Sequence, residues 1–124
     1  MVIMTRNRLS AKKAGTQFET SIVNYWSIYW DARVERRARN GAKDRGDISG
    51  LRHMGIRIIA ECKNYGGRYD IGTWLSEADV ERGNDDAGCG LVVAKRRGTT
   101  DPGDQVVIMT VRDLTALISG TRPA

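Results

Sequence analysis

The feature that most limits the fold lies between Arg45 and Asn64. Ile56-Arg57-Ile58-Ile59-Ala60-Glu61-Cys62-Lys63 reads as a strand, and a shorter apolar segment opened by Asp47 precedes it. The turn-prone Arg52-His53-Met54-Gly55 between them predicts a hairpin. Alternate residues of a strand share a face, so Ile59, Glu61 and Lys63 project one way while Ile58, Ala60 and Cys62 project the other. An acid and an amine therefore stand side by side, and the fold-back brings Asp47 to the same edge.

Two converging carboxylates hold a hard divalent cation that keeps waters and binds a phosphate oxygen, which suits phosphodiester hydrolysis. Lys63 would add a compact positive charge that orients or helps deprotonate the attacking water, or stabilises negative charge in the transition state. The same residues also fit a plainer arrangement, a surface hairpin on which Glu61 and Lys63 form a weak pair. Spacing alone leaves both open, because Asp…Glu-x-Lys is short and degenerate.

The flanking chain predicts the rest of the domain. Residues 1–15 mix Arg6, Arg8, Lys12 and Lys13 with small polar residues and show no apolar period, which predicts a mobile basic arm, either tracking a phosphate backbone or simply solvated. From Thr16 to Trp30, Phe18, Ile22, Tyr25, Trp26 and Tyr29 form a helical stripe. Thr16 with Glu19 has the capping-box spacing, while Glu19 also sits at the stripe's edge, where it would point toward a sheet. Ala32–Ala38 is expected as a first strand, followed by a basic loop through Lys43 and Arg45 into Asp47. Asp70 is a candidate cap for a second helix with the stripe Ile71, Trp74, Leu75 and Ala78 and with Glu77, Asp79 and Glu81 outside and turned away from DNA; Glu77 or Glu81 could instead assist a metal site, which nothing in the spacing demands. Residues 90–95 and 105–109 are continuous apolar runs expected at the sheet centre. Thr110 and Gly120 bracket a last helix with Leu114, Leu117 and Ile118 inward, and residues 121–124 are expected as a disordered tail.

The order helix, three strands, helix, two strands, helix predicts an α/β fold: one domain over residues 16–120 with a mixed central sheet flanked by helices. A chain of 124 residues is long enough for one core and not for two. Its net charge of +5 and pI near 9.6 favour a polyanionic partner, and the cations are clustered. Arg36, Arg37, Arg39, Lys43, Arg45, Lys95, Arg96 and Arg97 are the expected phosphate contacts. No stretch approaches the roughly 20 apolar residues of a spanning helix, and Arg6 interrupts the only N-terminal apolar run, so a cytoplasmic protein is expected. His53 is the only histidine, and Cys62 and Cys89 follow no ligand spacing, which leaves a tetrahedral zinc site without ligands. No phosphate-binding glycine fingerprint is present.

The Asp47…Glu61-x-Lys63 pattern resembles the core of the PD-(D/E)xK nuclease superfamily. More narrowly, the run Arg39 to Gly50, then Ala60 to Asn64, Trp74-Leu75 and Val92 to Gly98, is similar to small Holliday junction resolvases of actinobacteria and their phages, themselves similar to the archaeal type. The likeness covers about Gly15 to Ile118. It implies a restriction-endonuclease-like core and Mg2+, with Mn2+ able to substitute, held by Asp47 and Glu61, completed by Glu19 and by the backbone carbonyl of Cys62. Lys63 would then position or activate water, and the substrate would be branched DNA, a four-way junction, cut by a homodimer. Another repair or restriction-type nuclease, or a DNA-binding module with a decayed site, are the alternatives. Gly46 departs from the pattern, standing where the superfamily's name has proline.

Overall fold

The alternation along Ile56–Lys63 divides the protein into two apolar layers. The structure, a computed structural model, describes residues 7–38 and 44–124. Its elements are α1 (Arg8–Tyr29), β1 (Glu35–Arg36), β2 (Ile48–His53), β3 (Ile56–Lys63), α2 (Ile71–Asn84), β4 (Cys89–Ala94), a short 3-10 turn (Pro102–Asp104), β5 (Val106–Ile108) and α3 (Val111–Ser119). They form one α/β domain with a five-stranded sheet in the order β1-β2-β3-β4-β5. β3 and β4 are parallel and the other neighbours antiparallel, so the sheet is mixed.

Ile58 and Ala60 face α1 and α3, where they pack with Phe18, Ile22, Val23, Leu91, Val93 and Ala116. Ile59 faces the other way, into a cluster with Trp74, Ala78, Ala87, Val92 and Ala94 under α2. The parallel β3–β4 pair requires a crossover, and α2 is that crossover. Met54 and Gly55 take positive φ values of 51° and 80°, which lets two residues close the β2–β3 hairpin with the twist strands require.

Several expectations need correction. The helix begins at Arg8, capped by Asn7, whose side chain accepts from the Ser10 amide at 2.8 Å. The basic segment from Arg8 to Gly15 is therefore helix rather than arm, and Thr16 lies inside the helix instead of capping it. Tyr29 is exposed, so the buried stripe ends with Val23 and the half-buried Trp26. The first strand shrinks to Glu35–Arg36, with Val34 the buried anchor beside it. β5 is an edge strand, with Val107 48% exposed, rather than a central one. Asp70 stands at the N-cap position of α2, but its side chain makes no capping bond, and Ile71 is exposed.

At the other end, Thr110 caps α3 by accepting from the Asp113 amide, and Gly120 ends it in the left-handed conformation, both as expected. The face is different: Asp113 and Ala116 are buried, while Leu114 and Ile118 are exposed. Nor is the C-terminus loose. The Arg122 guanidinium donates to Asp113 Oδ1 at 2.6 Å and to the Gly88 carbonyl at 3.0 Å. Among the described residues, no helix is long and apolar enough to cross a membrane.

Candidate active site

The start of β2 and the end of β3 meet at a polar seam. Asp47 is buried there because its main chain extends the ladder, its amide donating to the Ala60 carbonyl and its carbonyl accepting from the Arg37 amide. Its carboxylate is oriented by the Cys62 amide, which donates to Oδ2 at 2.8 Å. The tight approach needs Gly46: at φ +94°, a Cβ would lie 3.1 Å from the Ala60 carbonyl oxygen. Proline, fixed near −65°, does not fit this backbone, so the glycine at this position is conformational rather than chemical in its effect.

Glu61 and Lys63 project toward α2, as the alternation predicts. Lys63 Nζ lies 3.6 Å from Glu61 Oε1 and donates to Glu77 Oε2 at 2.6 Å. Burial lowers the affinity of the amine for its proton, but the bond to Glu77 and the charges of Glu61 and Glu77 outweigh it, and the pKa rises. Lys63 is thus held in place between two carboxylates.

Glu81, expected on the outside of α2, is instead buried beside Glu61. Trp74, Ala78 and Glu81 share one face at i, i+4 and i+7, so the helical period already marks it. Asp44 joins them from the segment before Asp47, and carboxylate oxygens of Asp44, Glu61 and Glu81 all lie within 4.8 Å of one another. Nothing in the sequence around Asp44 distinguishes it from other loop acids. Burial first, then the hydrogen bond with Glu81 and the charges of Asp47 and Glu81, push the Glu61 carboxyl up to about 10 against the pull of Lys63. Burial, followed by Asp44 and Asp47, raises Glu81 too.

Glu19 approaches from α1. It is buried and accepts both Nε and Nη2 of Arg36, at 3.2 and 3.1 Å. It forms the wall common to two cavities of about 500 and 550 Å³, the first also lined by Glu61, Cys62 and Lys63, the second by Arg36 and Asp47. Glu19, Asp47 and Glu61 all lie near Cys62: after burial, their charges push its thiol pKa well up. The Cys62 side chain packs on the α1 core.

Among the described residues, the oxygen-only group of Asp44, Glu61 and Glu81 suits a hard divalent cation. Buried Oε2 atoms of Glu61 and Glu81 lack any hydrogen-bond partner, and such groups require a proton or a cation.

The expected phosphate contacts separate into two kinds. Arg37 is half-buried, donating to the Arg45 carbonyl at 2.6 Å and pairing with the buried Asp85 at 3.2 Å. Arg45 and Arg57 also approach Asp85 Oδ1, at 3.8 and 3.9 Å. Lys95 donates to the Arg96 and Thr99 carbonyls and closes its own loop. Arg37 and Lys95 therefore hold the protein together. Arg36 and Arg45 are about half exposed, and Arg96 and Arg97 stand on the surface. Arg39 and Lys43 lie outside the described residues. Beside Lys63, the exposed Tyr65 and Tyr69 flank Trp74, with ring centroids 5.4 and 6.2 Å from it, a feature that sequence spacing alone does not bring to the site. No family model, curated protein or solved structure matches this chain.

Proposed function

We propose that this protein is a metal-dependent, structure-selective endodeoxyribonuclease, most like a Holliday junction resolvase, acting in the cytoplasm. The observation that carries the reading is the seam itself: Asp47 and Glu61, both buried, stand at the adjoining ends of β2 and β3, the charge of Asp47 acts on Glu61, and Lys63 is held between Glu61 and Glu77. Asp47 and Glu61 would hold Mg2+, with Glu19 and the Cys62 carbonyl completing the set. A bound divalent cation polarises a phosphoryl oxygen and lowers the pKa of water.

The chain's own residues account for the remaining work. The Cys62 amide orients Asp47, and Glu77 fixes Lys63, so neither charged group reorganises when charge develops on the phosphate. Lys63 orients water and offsets that charge. In the hydrolysis the water oxygen bonds to phosphorus, one P–O ester bond breaks, and the leaving sugar oxygen takes a proton. Exposed Arg96 and Arg97 neutralise flanking phosphates, and Tyr65 and Tyr69 offer faces on which an unpaired base stacks. Two copies would act together, since a four-way junction presents two equivalent strands and one small domain has one such seam. The exposed Val111, Leu114 and Ile118 of α3 support that pairing.

Incubating the protein with a four-way junction and with its linear arms, with and without Mg2+, tests the reading. Paired symmetric nicks in the junction, only with the cation, are expected. Equal cutting of the linear arms indicates a repair or restriction-type enzyme, and binding without cleavage indicates a DNA-binding module.

A further inference from the structure

Glu61 is the only member of the proposed catalytic set whose carboxylate also belongs to the compact acidic group under α2. Asp44, Glu61 and Glu81 come from three separate segments, yet their oxygens lie within 4.8 Å of one another. Neutralisation by the protein is minimal there. Among the described residues, Asp44 and Glu81 form no ion pair with an arginine or lysine, and Lys63 reaches only Oε1 of Glu61, at 3.6 Å. Surface acids in such a group would be ordinary, but two of these three are buried and only Asp44 reaches the surface edge. Glu61 and Glu81 are each only 7% exposed, and the Oε2 atom of each is buried without a hydrogen-bond partner. Buried carboxylate oxygens facing other carboxylates are stable when a proton or a cation lies between them, and three acids converging on one point favour the cation.

We propose that Asp44, Glu61 and Glu81 form a divalent-cation site of their own on the α2 side of Glu61, making Glu61 a carboxylate shared with the Asp47–Glu19 side. Three carboxylates and no nitrogen or sulfur donor select a hard cation, Mg2+ or Mn2+, that retains some of its waters. The site deepens the nuclease reading, on which it rests for the catalytic half of Glu61. Two hydrogen bonds support it, one from backbone and one from the Asn84 side chain. The Asp44 carboxylate accepts from the Gly46 amide at 3.2 Å, and the Asn84 amide at the end of α2 donates to the Asp44 carbonyl at 2.9 Å, so the helix that carries Glu81 also holds the segment that carries Asp44.

Mn2+ binding to the full chain, followed by titration calorimetry and by the EPR signal of free Mn2+, tests the site. The wild-type protein is expected to take up an equivalent of Mn2+ that Glu81→Gln and Asp44→Asn each weaken at least about 10-fold, since even outer partners of a metal commonly matter that much. Glu19→Gln should leave this equivalent within about 2-fold. Circular dichroism of each variant confirms that it is folded, and Asp44, at the surface edge of the group, is the less disruptive position. Wild-type Mn2+ binding by either Glu81→Gln or Asp44→Asn, equal weakening in Glu19→Gln, or no uptake by the wild type at millimolar Mn2+ overturns the proposal. The nuclease reading fails separately: Mn2+ uptake in the expected pattern with no nicking of any DNA keeps the site and removes the enzyme.

Discussion

Gly46 sets the geometry on which the seam depends. An L side chain at φ +94° is strained, and here it would also press on the Ala60 carbonyl oxygen and Ile59 Cβ, at 3.1 and 3.3 Å. Gly46→Ala is expected to destabilise the fold by roughly 1–2 kcal/mol. Gly46→Pro should do more, because it also removes the amide that donates to Asp44; urea unfolding measures both. The chemistry-bearing side chains behave differently. Asp47→Asn, Glu61→Gln and Lys63→Ala should each lower cleavage by about 100-fold or more while leaving junction affinity largely unchanged, because they act on developing charge rather than on docking. Glu19→Gln belongs with them. Asn7 rather than Thr16 caps α1, so the capping role that competed for Glu19 is gone, and a change confined to stability would exclude it from the site. Asp47, Glu61 and Lys63 are legible in the sequence because strand alternation is local. Asp44 and Asp85 are not, since their importance arises only when α2 crosses the sheet and brings distant charges together.

At the scale of elements, the C-terminal residues and α3 form a polar clip. The Asp113 carboxylate accepts from Thr110 Oγ1 at 2.6 Å, from the Gly90 amide at 3.0 Å and from Arg122 at 2.6 Å, tying α3 to the start of β4. Burial raises the Asp113 pKa, but these donors outweigh it and hold it below the ordinary 3.8. A carboxylate depressed in the folded state stabilises the fold above its ordinary pKa and loses that contribution as pH falls through the folded value. Arg122→Ala should therefore lower stability by about 2 kcal/mol near neutrality, with the difference from wild type shrinking below pH 4; thermal melts across pH 2–7 measure it. This clip also explains why the apolar period misorients α3. Leu114 and Ile118 look inward by period alone, whereas the fully bonded Asp113 determines which face the helix buries. The same period makes α1 too short for the complementary reason. Its first two turns touch little, so no apolar period marks them, and the cap with good helix formers such as Ala11, Lys12 and Lys13 carries the helix through. β5 reads as a covered strand from Val-Val-Ile, yet at the sheet's edge its burial is only partial.

For the whole molecule, the charge of +5 is not evenly available to a ligand. Arg37 and Lys95 are committed to Asp85 and to their own loop, while Arg96 and Arg97 are exposed. Replacing Arg96 and Arg97 together with alanine is expected to weaken junction binding and flatten its log–log salt slope by about 0.9 for each phosphate that is no longer neutralised. An unchanged slope would remove that loop from the DNA surface.

The proposed pairing of two copies has a candidate surface. Val111, Leu114 and Ile118 line one exposed face of α3, at 83, 47 and 66% exposure, and Val107 adds 48% on the neighbouring edge strand. Exposed apolar groups gathered on one face mark an interaction surface, and an edge strand leaves backbone donors and acceptors unpaired beside it. A two-fold pairing through this face would match the two-fold symmetry of a junction. Ile118→Lys provides the test, since a surface position should alter the fold of the single chain by no more than about 0.5 kcal/mol. Sedimentation should show a wild-type dimer and a folded Ile118→Lys monomer, and strand-specific mapping should show the variant's nicks uncoupled between the two strands. Dimers that persist in Ile118→Lys and Leu114→Lys place the interface elsewhere, and a wild type that stays monomeric on the junction removes the pairing altogether.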